Sequence, residues 1–155
     1  MKESILRREL RLACPPAVVF PFFSDAQNLQ VLTPPWLDFK ILNPAPVAMQ
    51  TGALIHYRLR IHGLPLRWVS EITVWNPPHC FVDEQRRGPY RRWIHEHRFE
   101  PCGPGTVCVD HVRYAVPGGR WVDKLFVKRD LDRIFDFRHE KLAALFAHGP
   151  DHKPD

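Results

Sequence analysis

The feature that most limits the fold is an apolar stripe near the C-terminus, in a stretch running from about Trp121 to Phe146. Val122, Leu125, Phe126, Leu131, Ile134, Phe135, Leu142, Leu145 and Phe146 recur mostly three or four residues apart, as along one face of an α-helix. Lys124, Lys128, Arg129, Asp132, Arg133, Asp136, Glu140 and Lys141 fill much of the remaining surface. Pro117-Gly118-Gly119 breaks the chain before this helix, and Gly149-Pro150 stops it afterwards. At ~1.5 Å per residue such a helix is close to 40 Å long. An isolated helix of that length needs a broad apolar surface against which to bury its stripe.

The preceding residues supply one. A first strand is expected over Glu3 to Leu12, with Leu10 and Leu12 on a common side. Pro15-Pro16 then opens a helix whose apolar face is Val18, Val19, Phe22 and Phe23. Ser24 or Asp25 caps a second short helix, Ala26 to Leu32, which TPPW (33–36) ends. From there the period is two. Phe39 to Leu42 is a short strand stopped by Pro44 and Pro46. Leu54 to His62 follows, with Ile55, Tyr57, Leu59 and Ile61 on one face. After Gly63, Leu66, Trp68, Ser70, Ile72 and Val74 share the inner face of a fourth strand. Three more strands are expected over Cys80 to Arg86, Arg91 to Glu100 and Thr106 to Val116, with turns at Gly88-Pro89 and Gly103-Pro104-Gly105. The spacing predicts an antiparallel meander covered on one face and wet on the other.

A chain of 155 residues fits one domain, expected over residues 1–147 with a disordered tail at 148–155. The N-terminus MKESILRREL shows no export signal, and no apolar run reaches the ~20 residues that cross a bilayer, so a soluble cytoplasmic protein is expected. Cys14, Cys80, Cys102 and Cys108 lack CxxC spacing and read as reduced thiols. The net charge of +5 raises anionic partners. Arg86, Arg87, Arg91 and Arg92 with Tyr90 flank one hairpin, yet arginines occupy the wet face of nearly every strand and no RNA- or DNA-binding signature appears. The basic residues therefore read as a solvated face, and nucleic acid is not an expected partner; a basic module for RNA or anionic membranes ranks below the two readings developed next.

The order strand, two short helices, six strands, long helix resembles the helix-grip fold, an α+β architecture in which a curved antiparallel sheet grips a C-terminal helix. TPPW (33–36), HGLPLRW (62–68), RGPYRRWIHEHRFEP (87–101) and DHVRYAVP (110–117) are similar to a bacterial branch of the superfamily that groups START domains, birch-pollen-allergen-like proteins and polyketide cyclase/dehydrases (SRPBCC). The resemblance covers Glu3 to Phe146 and implies a deep apolar cavity between sheet and helix. It implies the fold more than the function, because the superfamily holds carriers and enzymes.

Within that frame WIHEHRF (93–99) is the richest stretch. Trp93, His95, His97 and Phe99 share the aromatic, inward face, and on the next strand Cys108, Asp110, Val112, Tyr114 and Val116 do. A four-residue loop at Cys102 to Gly105 places His97 opposite Asp110 and Trp93 opposite Tyr114, a register that a one-residue slip reverses. His97 with Asp110 reads either as a general base oriented by a carboxylate or as a self-satisfied polar pair that anchors a ligand oxygen. His95 and His97 have H-x-H metal spacing, but Asp110 is the one third ligand this register offers, so no metal and no cofactor are expected. Asp83 and Gln85, or else Val82 and Glu84, face the cavity; Asp83 and Gln85 follow Phe81 if it points inward. Tyr57, Trp68, Ser70 and Phe135 complete the expected lining.

The primary expectation is a binding protein for a small hydrophobic, amphipathic or lipid-like molecule. The alternative is a polyketide cyclase/dehydrase-like enzyme working through His97 and Asp110. Ligand identity, catalysis and oligomeric state are left open.

Overall fold

In the computed structural model, which describes residues 2–148, seven strands form one antiparallel sheet. They are β1 (Ser4–Leu12), β2 (Lys40–Ile41), β3 (Leu54–Ile61), β4 (Leu64–Asn76), β5 (Cys80–Arg87), β6 (Arg92–Cys102) and β7 (Gly105–Ala115). Their order is β1-β7-β6-β5-β4-β3-β2: an uninterrupted meander from β2 to β7, with β1 added beside β7. Helix α1 (Pro16–Phe23) and a 3-10 turn at Ala26–Gln30 close one end; Asp25 accepts from Gln27 N–H at 2.9 Å as the cap. The tail expected from residue 148 lies, His148 apart, outside the described residues.

The last helix lies across the sheet in three joined pieces. It opens as α2 (Gly119–Val122), passes through a π turn at Asp123–Val127, and continues as α3 (Lys128–Leu145). The π turn corrects the expected stripe. A turn with one extra residue rotates what precedes it relative to α3. Asp123 is thereby buried, accepting from Ser4 Oγ at 2.5 Å and Tyr114 Oη at 2.8 Å, while Leu125 and Phe126 face solvent. Leu131, Phe135 and Leu142 carry the buried stripe, and Leu145 is exposed. Arg8 on β1 ties α3 down through Asp136 at 2.7 Å and Asp132 at 3.1 Å.

Two apolar clusters fill the space between sheet and helix. One gathers Val19, Phe20 and Phe23 of α1 with Ile55, Ile72, Phe81, Phe99 and Leu142. The other joins Leu6, Leu59, Trp68, Trp93, Val112, Tyr114, Leu131 and Phe135. Two expected facings change. In α1 Phe20, not Val18, points inward, packing edge-on against Phe99 and tilted against Trp75 with centroids 5.1 Å away from each. In β4 a register shift between Ile72 and Val74 turns Val74 out and brings Trp75 opposite Phe81.

Gly105 marks a close approach of backbones: a Cβ there would lie 2.1 Å from the Leu12 carbonyl oxygen. That contact lets the end of β1 lie against the start of β7, where Leu12 pairs with Thr106.

Candidate functional site

Strand alternation places the site. On β6, Trp93, His95, His97 and Phe99 face the helix, as the sequence predicts. The β6–β7 register sets His97 opposite Asp110 and Trp93 opposite Tyr114, again as expected. Across the other ladder Phe81 pairs with His97 and Asp83 with His95. Phe81 therefore points inward, and Asp83 follows it toward the cavity. The rings stack in sequence: Phe81 on His97 at 4.0 Å between centroids, then His97 on His95 at 3.6 Å.

Residues that face each other are not those that bond. His97 Nε2 lies 2.7 Å from Asp83 Oδ2, and His95 Nε2 lies 2.7 Å from Asp110 Oδ1. The expected His97–Asp110 pair is thus exchanged for two diagonal pairs; His97 Nδ1 stays 3.7 Å from Asp110. Two side chains of α3, absent from the sequence expectations, complete the network. An amine of the Arg138 guanidinium donates to His97 Nδ1 at 3.1 Å and lies 3.5 Å from Asp110 Oδ1. His139 reaches Asp110 Oδ2 at 3.3 Å. Arg138 Nε is buried without a hydrogen-bond partner among the described residues.

The charges follow from these contacts. Burial pushes the Asp83 carboxyl up, but the His97 hydrogen bond and the fields of His95, His97 and Arg138 outweigh it and hold it below its ordinary range. Burial likewise opposes ionisation of Asp110, and Arg138, His139 and His95 together bring it well below the usual carboxylate value. Burial, the field of His95 and the nearby Arg138 lower His97 to about 4 against the opposing pull of Asp83. At neutral pH the network therefore holds two carboxylates, the guanidinium and a neutral His97. Burial also pushes the Cys108 thiol up to about 12, which removes it as a nucleophile.

Beside the network is a cavity of about 150 Å³. A void on the order of that size takes one benzene-sized ring. Of the expected residues, Tyr57, Trp68, Ser70, Asp83, Trp93, His95 and His97 line it, with Ile55, Phe39, Met49 and Arg138 among the others. Ser70 accepts from Trp68 Nε1 at 3.0 Å and lies 3.4 Å from Tyr57 Oη, which gives that phenol its polar partner. Four expected residues do not reach the cavity. Gln85 instead splints the β5–β6 turn, donating to the Tyr90 carbonyl at 2.7 Å and accepting from its N–H at 3.2 Å. Tyr114 donates to Asp123, Phe135 packs against the His95 ring at 5.5 Å, and Asp110 is buried behind the histidines. Among the carboxylates Asp83 is the one that reaches the cavity, its side chain 18% exposed against 5% for Asp110.

Asp83, His95 and His97 also bring their ligand atoms within 4.8 Å of one another, so β5 supplies the third metal ligand that the β6–β7 register alone does not. The proton pattern works against a cation there. Arg138 donates to His97 Nδ1, which leaves the proton on Nε2, facing Asp83. A metal at Nε2 requires that proton to move to Nδ1, against the guanidinium.

Two of the four arginines at the β5–β6 turn are engaged as surface ion pairs: Arg86 with Glu71 at 2.5 Å and Glu84 at 3.3 Å, and Arg92 with Glu3 at 3.0 Å. Tyr90 turns inward onto Trp93 and Trp68, at 4.8 and 5.5 Å, and is not interleaved among them for base stacking.

The family described as polyketide cyclase / dehydrase and lipid transport matches residues 12–139. The chain belongs to that family. This SRPBCC protein has no match among curated proteins. Solved structures share its fold. The aromatase/cyclase Zhui from Streptomyces sp. R1128 superposes with a TM-score of 0.75 at 12% identity, covering 94% of each chain. TTHA0849 from Thermus thermophilus does so at 0.65 and 20% identity, over 92% of this chain and 99% of that one. The major latex-like protein 151 of Panax ginseng gives 0.69 at 10% identity, over 94% and 99%. The helix-grip expectation is met. No helix among the described residues is long and apolar enough to cross a membrane.

Proposed function

We propose that this SRPBCC protein binds a small hydrophobic or amphipathic molecule between sheet and helix, with one ring-sized oxygenated group in the inner cavity. The observation that carries this reading is the cavity's composition: aromatic and aliphatic walls with a single reachable carboxylate, Asp83, at the polar end. Burial of apolar surface supplies the affinity, at ~25 cal/mol per Å² before ordering costs. Asp83 supplies orientation, accepting a hydrogen bond from a ligand hydroxyl. His97 and Asp110 serve behind it: both His97 nitrogens are occupied, and the oxygens of Asp110 are taken by His95 and His139.

A second reading is favoured by the same carboxylate. Asp83 reaches the cavity beside neutral His97, so its position suits a base that takes a proton from carbon next to a carbonyl of a polyketide-like substrate, although its lowered pKa makes it a weaker base than an ordinary carboxylate. In that case catalysis follows binding in the same cavity.

Native mass spectrometry of the purified protein, together with tryptophan quenching by one-ring probes, tests the binding reading. Trp68 and Trp93 line the cavity, so saturable quenching is expected. Absence of any co-purified molecule together with linear, unsaturable quenching by every probe overturns it.

A further inference from the structure

Where the last helix begins, an apolar face lies uncovered by the rest of the fold. Trp121 is 77% exposed, Phe126 63% and Leu125 60%. The π turn produces this face: Asp123 is drawn down to Ser4 and Tyr114, which leaves the flanking large side chains outward. Alongside, between α2 and β1, runs a groove of about 910 Å³ whose walls include Lys2, Arg120, Lys124 and Lys128. None of these four cations pairs with a carboxylate among the described residues. The acids at this end are already engaged, Glu3 with Arg92 at 3.0 Å and Asp123 with its two hydroxyl donors. Exposed indole, phenyl and isobutyl groups thus stand beside four cations that make no ion pair among the described residues and outnumber the two carboxylates of the groove, Glu3 and Asp123.

We propose that this face docks the protein on anionic phospholipid membranes. Trp121, Leu125 and Phe126 enter the headgroup–acyl boundary, and Lys124, Lys128 and Arg120 meet lipid phosphates. The chemistry is that of interfacial helices, in which large apolar side chains flanked by lysine and arginine lie in the membrane plane. A second copy of the chain fits poorly, because a two-fold contact packs the same cationic patch of both copies into one interface. An acidic protein surface answers the lysines but leaves the indole and phenyl rings no apolar partner. The face shares no residue with the cavity lining, so its fate and that of the ligand-binding reading are separable.

Cosedimentation of the full chain with vesicles tests the proposal, using phosphatidylcholine alone and phosphatidylcholine mixed with phosphatidylglycerol. Binding is expected on the mixed vesicles, weakening as salt rises. Reversing two charges (Lys124→Glu, Lys128→Glu) should lower partitioning at least about tenfold, since each cation contributes measurably at an anionic surface. Trp121→Ser and Phe126→Ser should each lower it several-fold with unchanged thermal melts, because both side chains are exposed. Brominated acyl chains should quench wild-type emission more than that of Trp121→Phe. Absence of binding, equal binding to neutral vesicles, or indifference to all four substitutions overturns the proposal. So does a dimer in sedimentation velocity that Phe126→Ser abolishes, which assigns the face to a second copy.

Discussion

Arg138 donates to Nδ1 of His97 at 3.1 Å, and this one contact fixes what the interior of the protein can do. A guanidinium cannot accept a proton and does not lose one near neutrality, so His97 must present a lone pair at Nδ1 and carry its proton at Nε2. That proton points at Asp83 Oδ2, 2.7 Å away. The carboxylate is thereby held ionised at the cavity edge while the histidine stays neutral. Two buried acids are balanced by a single permanent cation, with His95 and His139 donating to Asp110.

Removing that cation should be costly. Arg138→Met leaves Asp110 and Asp83 buried without their common countercharge, and breaking such a group costs about 3–5 kcal/mol. Arg138→Lys should recover only part of it, because an ammonium lacks the planar fork that reaches His97 and Asp110 together. Denaturant unfolding of both variants checks this; Arg138→Met melting like wild type would remove the network's claim to a structural role.

The same substitution should alter metal affinity. With Arg138 present, the proton pattern opposes a cation at Asp83, His95 and His97, so protein dialysed after purification is expected to hold no stoichiometric zinc or iron. Arg138→Met removes the opposing charge and frees His97 to shift its proton, so zinc binding should strengthen by tenfold or more. Elemental analysis and zinc titration of both proteins decide it. Stoichiometric metal in the wild type would show that the guanidinium is no barrier.

Stability should fall with acid in two steps. His97 titrates near 6.5 when unfolded and at about 4 when folded, so the unfolded state binds the extra proton first and stability drops as pH falls through that window. The loss approaches roughly 3 kcal/mol at its lower end, at ~1.4 kcal/mol per pH unit. Asp83 and Asp110, whose folded values are depressed, act in the same direction but only below the ordinary carboxylate range. Urea midpoints measured from pH 7 to pH 2 should therefore decline before Asp83 or Asp110 protonates. His97→Gln should flatten that upper limb and leave the lower one.

Much of this is legible in the sequence, and the parts that are not share a cause. Strand alternation reveals the inward faces of β3, β6 and β7, down to the His97–Asp110 register, because a period of two leaves only two options per strand. It cannot reveal bonding, since long side chains on one face choose among diagonal neighbours as readily as opposite ones. Arg138 escapes a reading based on apolar residues although it occupies the stripe itself, three residues after Phe135 and four before Leu142. A charged residue in an apolar stripe is the signal for a buried cation. A uniform 3.6-residue repeat places Leu125 and Phe126 inside, but it does not carry through Asp123–Val127, where the helix widens to a π turn.

The buried part of the stripe should still be essential. Phe135 is almost wholly buried against His95 and the sheet, so Phe135→Ala should cost about 3–5 kcal/mol. Leu125→Ala, on the exposed face, should stay within about 0.5 kcal/mol. A pair of thermal melts suffices, and equal midpoints for the two variants would contradict the placement of the helix.

The last prediction separates Asp83 from the residues behind it. If Asp83 accepts a ligand hydroxyl in the inner cavity, phenol should bind more tightly than toluene, and Asp83→Asn should narrow that difference. A charge-assisted hydrogen bond exceeds a neutral one by on the order of 1 kcal/mol, so phenol affinity should drop about five- to tenfold while toluene affinity holds. Ser70→Ala, at the aromatic end of the cavity, should move both ligands alike by loosening Trp68 and Tyr57. His97→Ala leaves Asp83 without its main donor and should act in the same sense as Asp83→Asn, but it should lack the stability decline between pH 6.5 and 4 that His97 causes, which sets the two variants apart. Fluorescence titration with the two probes across these variants gives the comparison. Equal losses for phenol and toluene in Asp83→Asn would make the carboxylate a structural group. Should a polyketide-like substrate be turned over by the wild type and untouched by Asp83→Asn, with its binding retained, the cavity is an active site and Asp83 its base.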